Sequence, residues 1–276
     1  MKILITGAMG KCGSALWNLP HELILLDVHI PDAKREALEK TGQITCVQGD
    51  VRDVNLLAGL LKGCDAVVHL AASTGVMHRD DSRDTALAWD DIRDLNIDAL
   101  KRLLDLCRET SVKRVLFASS NHVHGQIELD HRPEIYHGDK PCVFADTPTR
   151  PDSLYGASKV FGEALGRFYA ETGGPRFYAM RIGSLLPERY DHVAGYAEEG
   201  VDQGLWKRDS EEYALQLARL RATWLSRRDF RQIVELLLHY QGPVYEHFFA
   251  ISENRNAWFD ISDTKARLGY QPKDGD

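Results

Sequence analysis

A tyrosine and a lysine stand four residues apart in Tyr155-Gly-Ala-Ser-Lys159, the spacing that puts two side chains on one face of a helix, a turn apart. A phenol ordinarily titrates near pH 10, so it is a weak base at neutral pH, and bringing it to neutrality takes about 4 kcal/mol. One ammonium about 4 Å away supplies that order of energy at an effective dielectric near 20. Such a phenol can take a proton from a substrate hydroxyl. Ser120, closing an apolar run, offers a hydroxyl to hold the substrate oxygen. Alone, a Tyr-x-x-x-Lys pair occurs by chance in many helices, so its meaning depends on the rest of the chain.

The rest begins with Thr6-Gly-Ala-Met-Gly-Lys-Cys-Gly13, whose glycines follow a short apolar run. Glycine lets the backbone turn tightly and approach a pyrophosphate, and the N–H groups of the following helix start favour an anion. Gly7, Met9, Gly10, Lys11, Cys12 and Gly13 are the candidate dinucleotide cradle; the plainer alternative is an ordinary strand–helix turn. Asp27 closes the second apolar run, 14 residues after Gly13. A carboxylate there can accept both adenosine ribose hydroxyls and would repel a 2′-phosphate. Val28-His29-Ile30 bring no arginine, so the expected cofactor is NAD rather than NADP, unless Asp27 is simply a surface aspartate. Asp50 and Val51, after the third run, suit the adenine edge. Leu70, Ala71 and Ala72, after the fourth, suit close passage of the cofactor phosphates and ribose.

These residues need a scaffold. Apolar runs at Lys2–Ile5, Glu22–Leu26, Ile44–Val47, Asp65–Leu70, Arg114–Ala118, Arg176–Ile182 and Tyr245–Ile251 read as strands. Helical patterns near 14–19, at 53–61, 92–109, 153–172, 211–222 and 228–239, and a short one at 263–268, fall between and after them. Strands alternating with helices imply βαβ units, a parallel sheet and helices on both faces. The expected fold is therefore α/β, a doubly wound parallel sheet (a Rossmann fold) with a small C-terminal substrate lobe. Residues 1–182, completed by about 224–252, form the dinucleotide-binding part; 183–223 and 253–276 form the lobe. Residues 121–152 read as an irregular segment too long for an idle connection. The acidic run Asp80–Asp84 reads as a solvated loop.

Composition removes other classes. Among 276 residues, 34 Lys and Arg face 41 Asp and Glu, a formal charge of −7, which disfavours nucleic acid as a partner. No apolar window is long enough to span a membrane. Met1-Lys2 leads straight into the first strand without a signal-peptide pattern. Five scattered cysteines without a C-x-x-C read as reduced thiols, so a cytoplasmic location is expected. His122-Val-His124 lacks zinc-ligand spacing, and no metal is expected.

The ordered set of Thr6–Gly13, His69–Ala72, Asn96, Ser119-Ser120, Tyr155 and Lys159 resembles the extended short-chain dehydrogenase/reductase family, over Lys2 to about Gly269. The resemblance implies that Tyr155 is the acid/base, Lys159 its electrostatic partner and ribose anchor, and Ser120 the ligand of the substrate oxygen. It implies that Asn96 supports the lysine through water and that Ile182 lines the cofactor. Ser119-Ser-Asn-His122, Arg150-Pro-Asp-Ser-Leu-Tyr-Gly156, Arg181-Ile-Gly-Ser184, Ala222-Thr-Trp-Leu-Ser226 and Trp258-Phe-Asp260 look most like uronate dehydrogenase and the related archaeal NAD-dependent glucose-6-phosphate dehydrogenases. Those enzymes oxidise a sugar at C1 to a lactone, so the expected substrate is a small acidic hexose. The resemblance sets Arg219 against the distal anion; Arg221, which has no counterpart there, could add charge or be a solvated arginine on a polar helix. Ser73, Thr74, Asn121, His122 and Ser184 are expected on sugar hydroxyls, with Trp258 beside the pocket or over the ring. Helices 92–109 and 153–172 are the pair family members use to dimerise, so a homodimer or higher oligomer is expected. Relative to uronate dehydrogenase, residues 188–217 are an insertion of roughly thirty residues and 126–149 a longer loop, either of which could reshape the pocket. A phosphate or sulfonate could replace the carboxylate. A nucleotide-sugar epimerase or dehydratase, and a non-catalytic dinucleotide sensor, are the alternatives.

Overall fold

The computed structural model describes residues 1–74, 85–110, 112–138 and 142–276. The run Asp80–Asp84 lies outside them. Seven strands, β1 (Lys2–Thr6), β2 (Glu22–Asp27), β3 (Ile44–Gln48), β4 (Ala66–His69), β5 (Arg114–Ser120), β6 (Arg176–Ile182) and β7 (Tyr245–Ala250), form one sheet in the order β3-β2-β1-β4-β5-β6-β7. Every pairing is parallel. The strand order reverses between β1 and β4, so a crevice opens at their carboxyl ends.

The strands read as near-continuous apolar runs because both faces are covered. Ile3 and Ile5 belong to one core and Leu4 to the other; Leu116 and Ala118 alternate in the same way with Val115 and Phe117. The helices are α1 (Lys11–Ser14), α2 (Asp32–Glu39), α3 (Val54–Leu61), α4 (Thr85–Ile92), α5 (Ala99–Glu109), α6 (Gly125–His131), α7 (Leu154–Glu171), α8 (Gly195–Asp202), α9 (Glu211–Thr223), α10 (Arg227–His239) and α11 (Ser262–Leu268). Leu57, Leu61, Leu100, Leu103 and Leu104 of α3 and α5 pack on one face of the sheet; Phe230, Ile233, Val234 and Leu237 of α10 pack on the other. Asp53 caps α3 by accepting the Asn55 and Leu56 amides at 3.0 Å, and Ser153 caps α7 through the Gly156 amide, as short polar residues do at helix starts.

Helices α2 and α4 have no counterpart in the sequence reading, α1 lies earlier than expected, and the elements differ from that reading elsewhere. Residues 121–152 are not wholly irregular: they contain a 3₁₀ turn (Asn121–His124) and α6. The helix before β5 is not uniform either, since a π-helical turn (Arg93–Asp98) separates α4 from α5. Residues 188–217 form α8 and the first part of α9, and Tyr190 and Val193 among them pack against a small separate core of Leu186, Leu220 and Trp224. Trp258, Phe259 and Tyr270 of the C-terminal segment join the main core on one sheet face.

Candidate active site

The glycine loop turns where β1 ends. Gly7 has φ +68°, and a Cβ on it would lie 2.7 Å from the Ala71 nitrogen, so only glycine allows β1 and the end of β4 to approach this closely. A Cβ on Gly13 would lie 2.5 Å from the Gly7 and Ala8 carbonyl oxygens. Thr6 Oγ1 lies 2.8 Å from His69 Nδ1 and accepts the Leu70 and Ala71 amides at 3.3 Å, tying the two strand ends together. Within α1 the first internal bond runs from the Ser14 amide to Gly10, so the preceding amides are the ones a helix start leaves for a ligand. The Met9 amide donates to Asp27 at 2.8 Å, which holds that carboxylate at the carboxyl end of β2 beside the loop. Asp50 is held by Arg52 at 2.6 Å, and the Val51 side chain is buried in the core. Each carboxylate oxygen of Asp27 keeps lone-pair capacity beyond its backbone bond. A tight glycine cradle at a helix start and an acceptor at the end of β2 fit a pyrophosphate and a ribose, so the residues present fit NAD.

Beside this loop lies a cleft of about 380 Å³. Lys11, Cys12, Leu70, Ala72, Thr74, Ser120, Asn121, His122, Tyr155, Lys159, Ile182, Ser184 and Arg219 all line it. Met9 and Gly10 line an adjoining cavity of about 300 Å³, which Lys11 also borders. Ser120 ends β5, while Tyr155 and Lys159 lie in the first two turns of α7, which Ser153 starts. The Lys159 nitrogen lies 5.4 Å from the Tyr155 ring centre and 4.9 Å from that of Phe117.

Electrostatically the pair departs from expectation. Burial pushes the Tyr155 phenol up to about 12, with a nearby Cys12 thiolate adding to the rise and the Ser120 hydroxyl opposing it. Burial likewise pulls Lys159 down to about 8 and pushes Cys12 up to about 11. The protein interior thus disfavours both charges, and the lysine alone does not bring the phenol to neutrality.

A buried network supports the two strand ends. Glu163 accepts from Arg181 at 3.0 and 2.8 Å and from the Ser119 hydroxyl at 2.6 Å, while Arg181 also meets His124 at 3.0 Å. Burial would raise the Glu163 carboxyl, but the guanidinium overrides it and holds the group below its ordinary range. Glu163 follows Lys159 by four residues, so a charged residue on the Tyr155–Lys159 stripe was the available signal for this network.

Other side chains are placed differently from the sequence reading. Asn96 is buried in the π turn and bonds the Ser73 backbone through both its oxygen and its nitrogen (2.8 Å each) and the Ser158 hydroxyl at 2.9 Å. It therefore joins the segment after β4 to α7. Ser73 is held in this clamp and is not part of the cleft wall. Arg221 is exposed and outside the wall, because α9 turns Arg219 and not Arg221 toward the cleft. Trp258 is only 1% exposed and packs on Phe259 with ring centres 3.7 Å apart, so it is core rather than a cover for a sugar. The Ser184 hydroxyl shares a 2.8 Å bond with that of Thr223. Arg219 pairs with Glu128 of α6 at 2.5 Å. Tyr196 of α8 also lines the cleft. No local pattern marks Glu128 or Tyr196, since each reaches the site only through tertiary packing. Away from the cleft, His21, Glu235 and His239 bring their ligand atoms within 4.8 Å of one another; only the last two show helical spacing in sequence.

With this geometry established, similarity to known proteins identifies the class. The model of the NAD dependent epimerase/dehydratase family matches residues 3–208, and the chain belongs to that family. NAD is its cofactor. The L-arabinose 1-dehydrogenase (NAD(P)(+)) of Haloferax volcanii is 33% identical over 282 residues, covering 99% of this chain and 96% of its own. The uronate dehydrogenase of Pseudomonas putida is 30% identical, covering 99% of this chain and 84% of its own. A mutant of uronate dehydrogenase from Agrobacterium tumefaciens, solved in complex with NAD, superposes with a TM-score of 0.70 at 27% identity, covering 99% of this chain and 85% of that one.

Proposed function

We propose that this protein, an NAD-dependent oxidoreductase acting on sugars, oxidises a free aldose at C1 to its lactone. The observation that carries the reading is the convergence of Ser120, Tyr155 and Lys159 on one cleft beside the glycine cradle. Ser120 holds the C1 oxygen, and Tyr155 takes the C1 hydroxyl proton as the C1–H bond breaks. Lys159 stabilises the phenolate that accepts this proton. NAD, when bound, supplies the hydride acceptor and a positive charge that favours the phenolate. Asn121, Thr74 and Ser184 offer further polar groups to the ring hydroxyls. His122 is oriented by Asp152 at 2.7 Å. Mixing the protein with NAD and an aldose panel should raise absorbance at 340 nm, and Tyr155→Phe should remove that signal while leaving NADH binding within a few fold. An epimerase or dehydratase would instead give no net NADH. Absence of NADH with every aldose would refute the proposal.

Arg219 lines the cleft, but its charge is already met by Glu128. The acidic hexose expected from the sequence is therefore not the substrate proposed here. We place the protein in the cytoplasm as a homodimer through α5 and α7. Leu154, Phe161 and Phe168 recur every seven residues on α7 and are 45%, 44% and 58% exposed, which supports that face. Among the described residues no helix is long and apolar enough to cross a membrane. Light scattering should give a dimer mass that Phe161→Glu lowers to that of one chain.

A further inference from the structure

The arginine in the cleft wall, Arg219, is not a free cation. Its Nε donates to Glu128 Oε1 at 2.5 Å and its Nη2 to Oε2 at 3.3 Å, a side-on, two-point pair. Glu128 is 5% exposed and also accepts the Tyr136 hydroxyl at 2.6 Å, so it is fixed from two sides. Burial opposes the charge on Arg219, and the Glu128 carboxylate overrides that opposition, so the pair stands as two compensated ions. The arginine side chain keeps 24% of its surface exposed and borders the cleft, where its remaining N–H groups can still donate.

Two further nitrogen-bearing side chains of the cleft wall also face acids. His122 faces Asp152 at 2.7 Å, and Lys11 faces Glu199 at 3.9 Å. Lys159 is engaged at the phenol. A carboxylate or phosphate on the sugar would have to compete with Glu128 for one guanidinium and would stand beside that buried negative charge. A hydroxyl meets no such opposition: it accepts from a paired guanidinium and brings no charge. Like-charge juxtaposition at a binding site is a recognised way to reject the wrong partner.

We propose that Glu128 determines the substrate class by neutralising Arg219, so that the cleft selects a neutral aldose over a uronate or a sugar phosphate. This rests on the reading of the protein as a sugar dehydrogenase. Glu128 acts through the arginine and is a positioning residue. It lies on α6, outside the set of Ser120, Tyr155 and Lys159, so the same reacting groups can serve a different substrate class.

The test compares kcat/KM for L-arabinose and D-galactose with that for D-galacturonate and D-glucuronate at fixed ionic strength. The wild type should prefer the neutral pair, and Glu128→Gln, which keeps the shape and the Tyr136 contact, should lower the neutral-to-uronate ratio by about tenfold or more. Melting curves confirm that the variant folds. A wild type that prefers uronates, or a ratio that E128Q moves by less than about threefold, overturns the proposal while leaving the dehydrogenase reading intact. If no sugar is oxidised at all, the dehydrogenase reading fails. Calorimetric binding of galactose and galacturonate to the NADH-loaded wild type and E128Q then decides the role of Glu128: a gain in galacturonate binding in the variant supports it, and no gain overturns it.

Discussion

Replacing Lys159 by methionine separates what this lysine does for chemistry from what it does to the fold. Its nitrogen lies 5.4 Å from the Tyr155 ring centre. At an effective dielectric near 20, a unit charge about 5 Å from a phenolate oxygen is worth about 3 kcal/mol, or about two pH units on its titration. The lysine, pulled down to about 8 by burial, is still mostly protonated at neutral pH. Its loss should therefore lower kcat/KM at pH 7 by about a hundredfold. The base acts deprotonated and its titration lies above neutrality, so wild-type activity should climb from pH 7 toward alkaline pH, and in the variant the climb should move to higher pH. Stability should change in the opposite sense. Lys159 titrates near 10.5 when exposed and near 8 in the fold, so the unfolded chain binds the proton more tightly. The fold is thus penalised below about pH 8 and regains stability as pH rises toward 10.5, by about 3 kcal/mol in all. Lys159→Met removes that penalty, which for a chain of this length corresponds to a Tm higher by about 5 °C at pH 7. NADH formation across pH 6–10 and thermal melts at pH 7 and 9.5 measure both effects. A variant with less than a fivefold loss, an unmoved pH profile and a lower Tm would refute the reasoning.

Gly13→Ala would set a Cβ 2.5 Å from two backbone oxygens, so NADH affinity measured by fluorescence titration should fall by about tenfold or more. Asp27→Ala removes the acceptor held by the Met9 amide; the preference for NAD over NADP, read from the two kcat/KM values, should shrink by about tenfold. Glu163→Gln leaves the buried Arg181 without its counter-charge and should lower stability by about 3–5 kcal/mol, a Tm loss of roughly 5–9 °C. Because the Glu163 carboxyl is held below its ordinary range, its contribution is present above the usual glutamate value and fades as the pH falls through the folded one. Acid unfolding should therefore begin at higher pH in a protein lacking it, a shift that circular dichroism would follow.

The sheet was legible because strands buried on both faces leave nothing but apolar runs, and Arg176–Ile182 coincides with β6 from end to end. The glycine loop was legible because its constraint is local: Gly7 and Gly13 are required by backbone atoms within the loop and the neighbouring strand end. The π turn was not, because one shifted backbone bond leaves the 3.6-residue apolar pattern of 92–109 almost unchanged, yet it carries Asn96, which clamps Ser73 to Ser158. Trp258 shows the same limit from another side. An aromatic near a pocket and an aromatic beneath it have one composition, and only packing against Phe259 distinguishes them.

Charge is the case where the limit bears on function. Arg219 stands at a position where a positive side chain implies an anion, and that inference treats the residue as if it met the substrate alone. Its partner comes from 91 residues earlier in the chain, on a helix within a segment whose polar, proline-containing sequence reads as irregular. A guanidinium with a buried carboxylate on two of its nitrogens keeps its donors and loses its net charge toward the cleft, which converts an anion receptor into a hydroxyl receptor. If the proposal above holds, substrate class depends on a pair, and one half of that pair is supplied by α6, outside the set of Ser120, Tyr155 and Lys159. A change of substrate therefore requires no change in the reacting groups, only the arrival or departure of one acid behind the arginine.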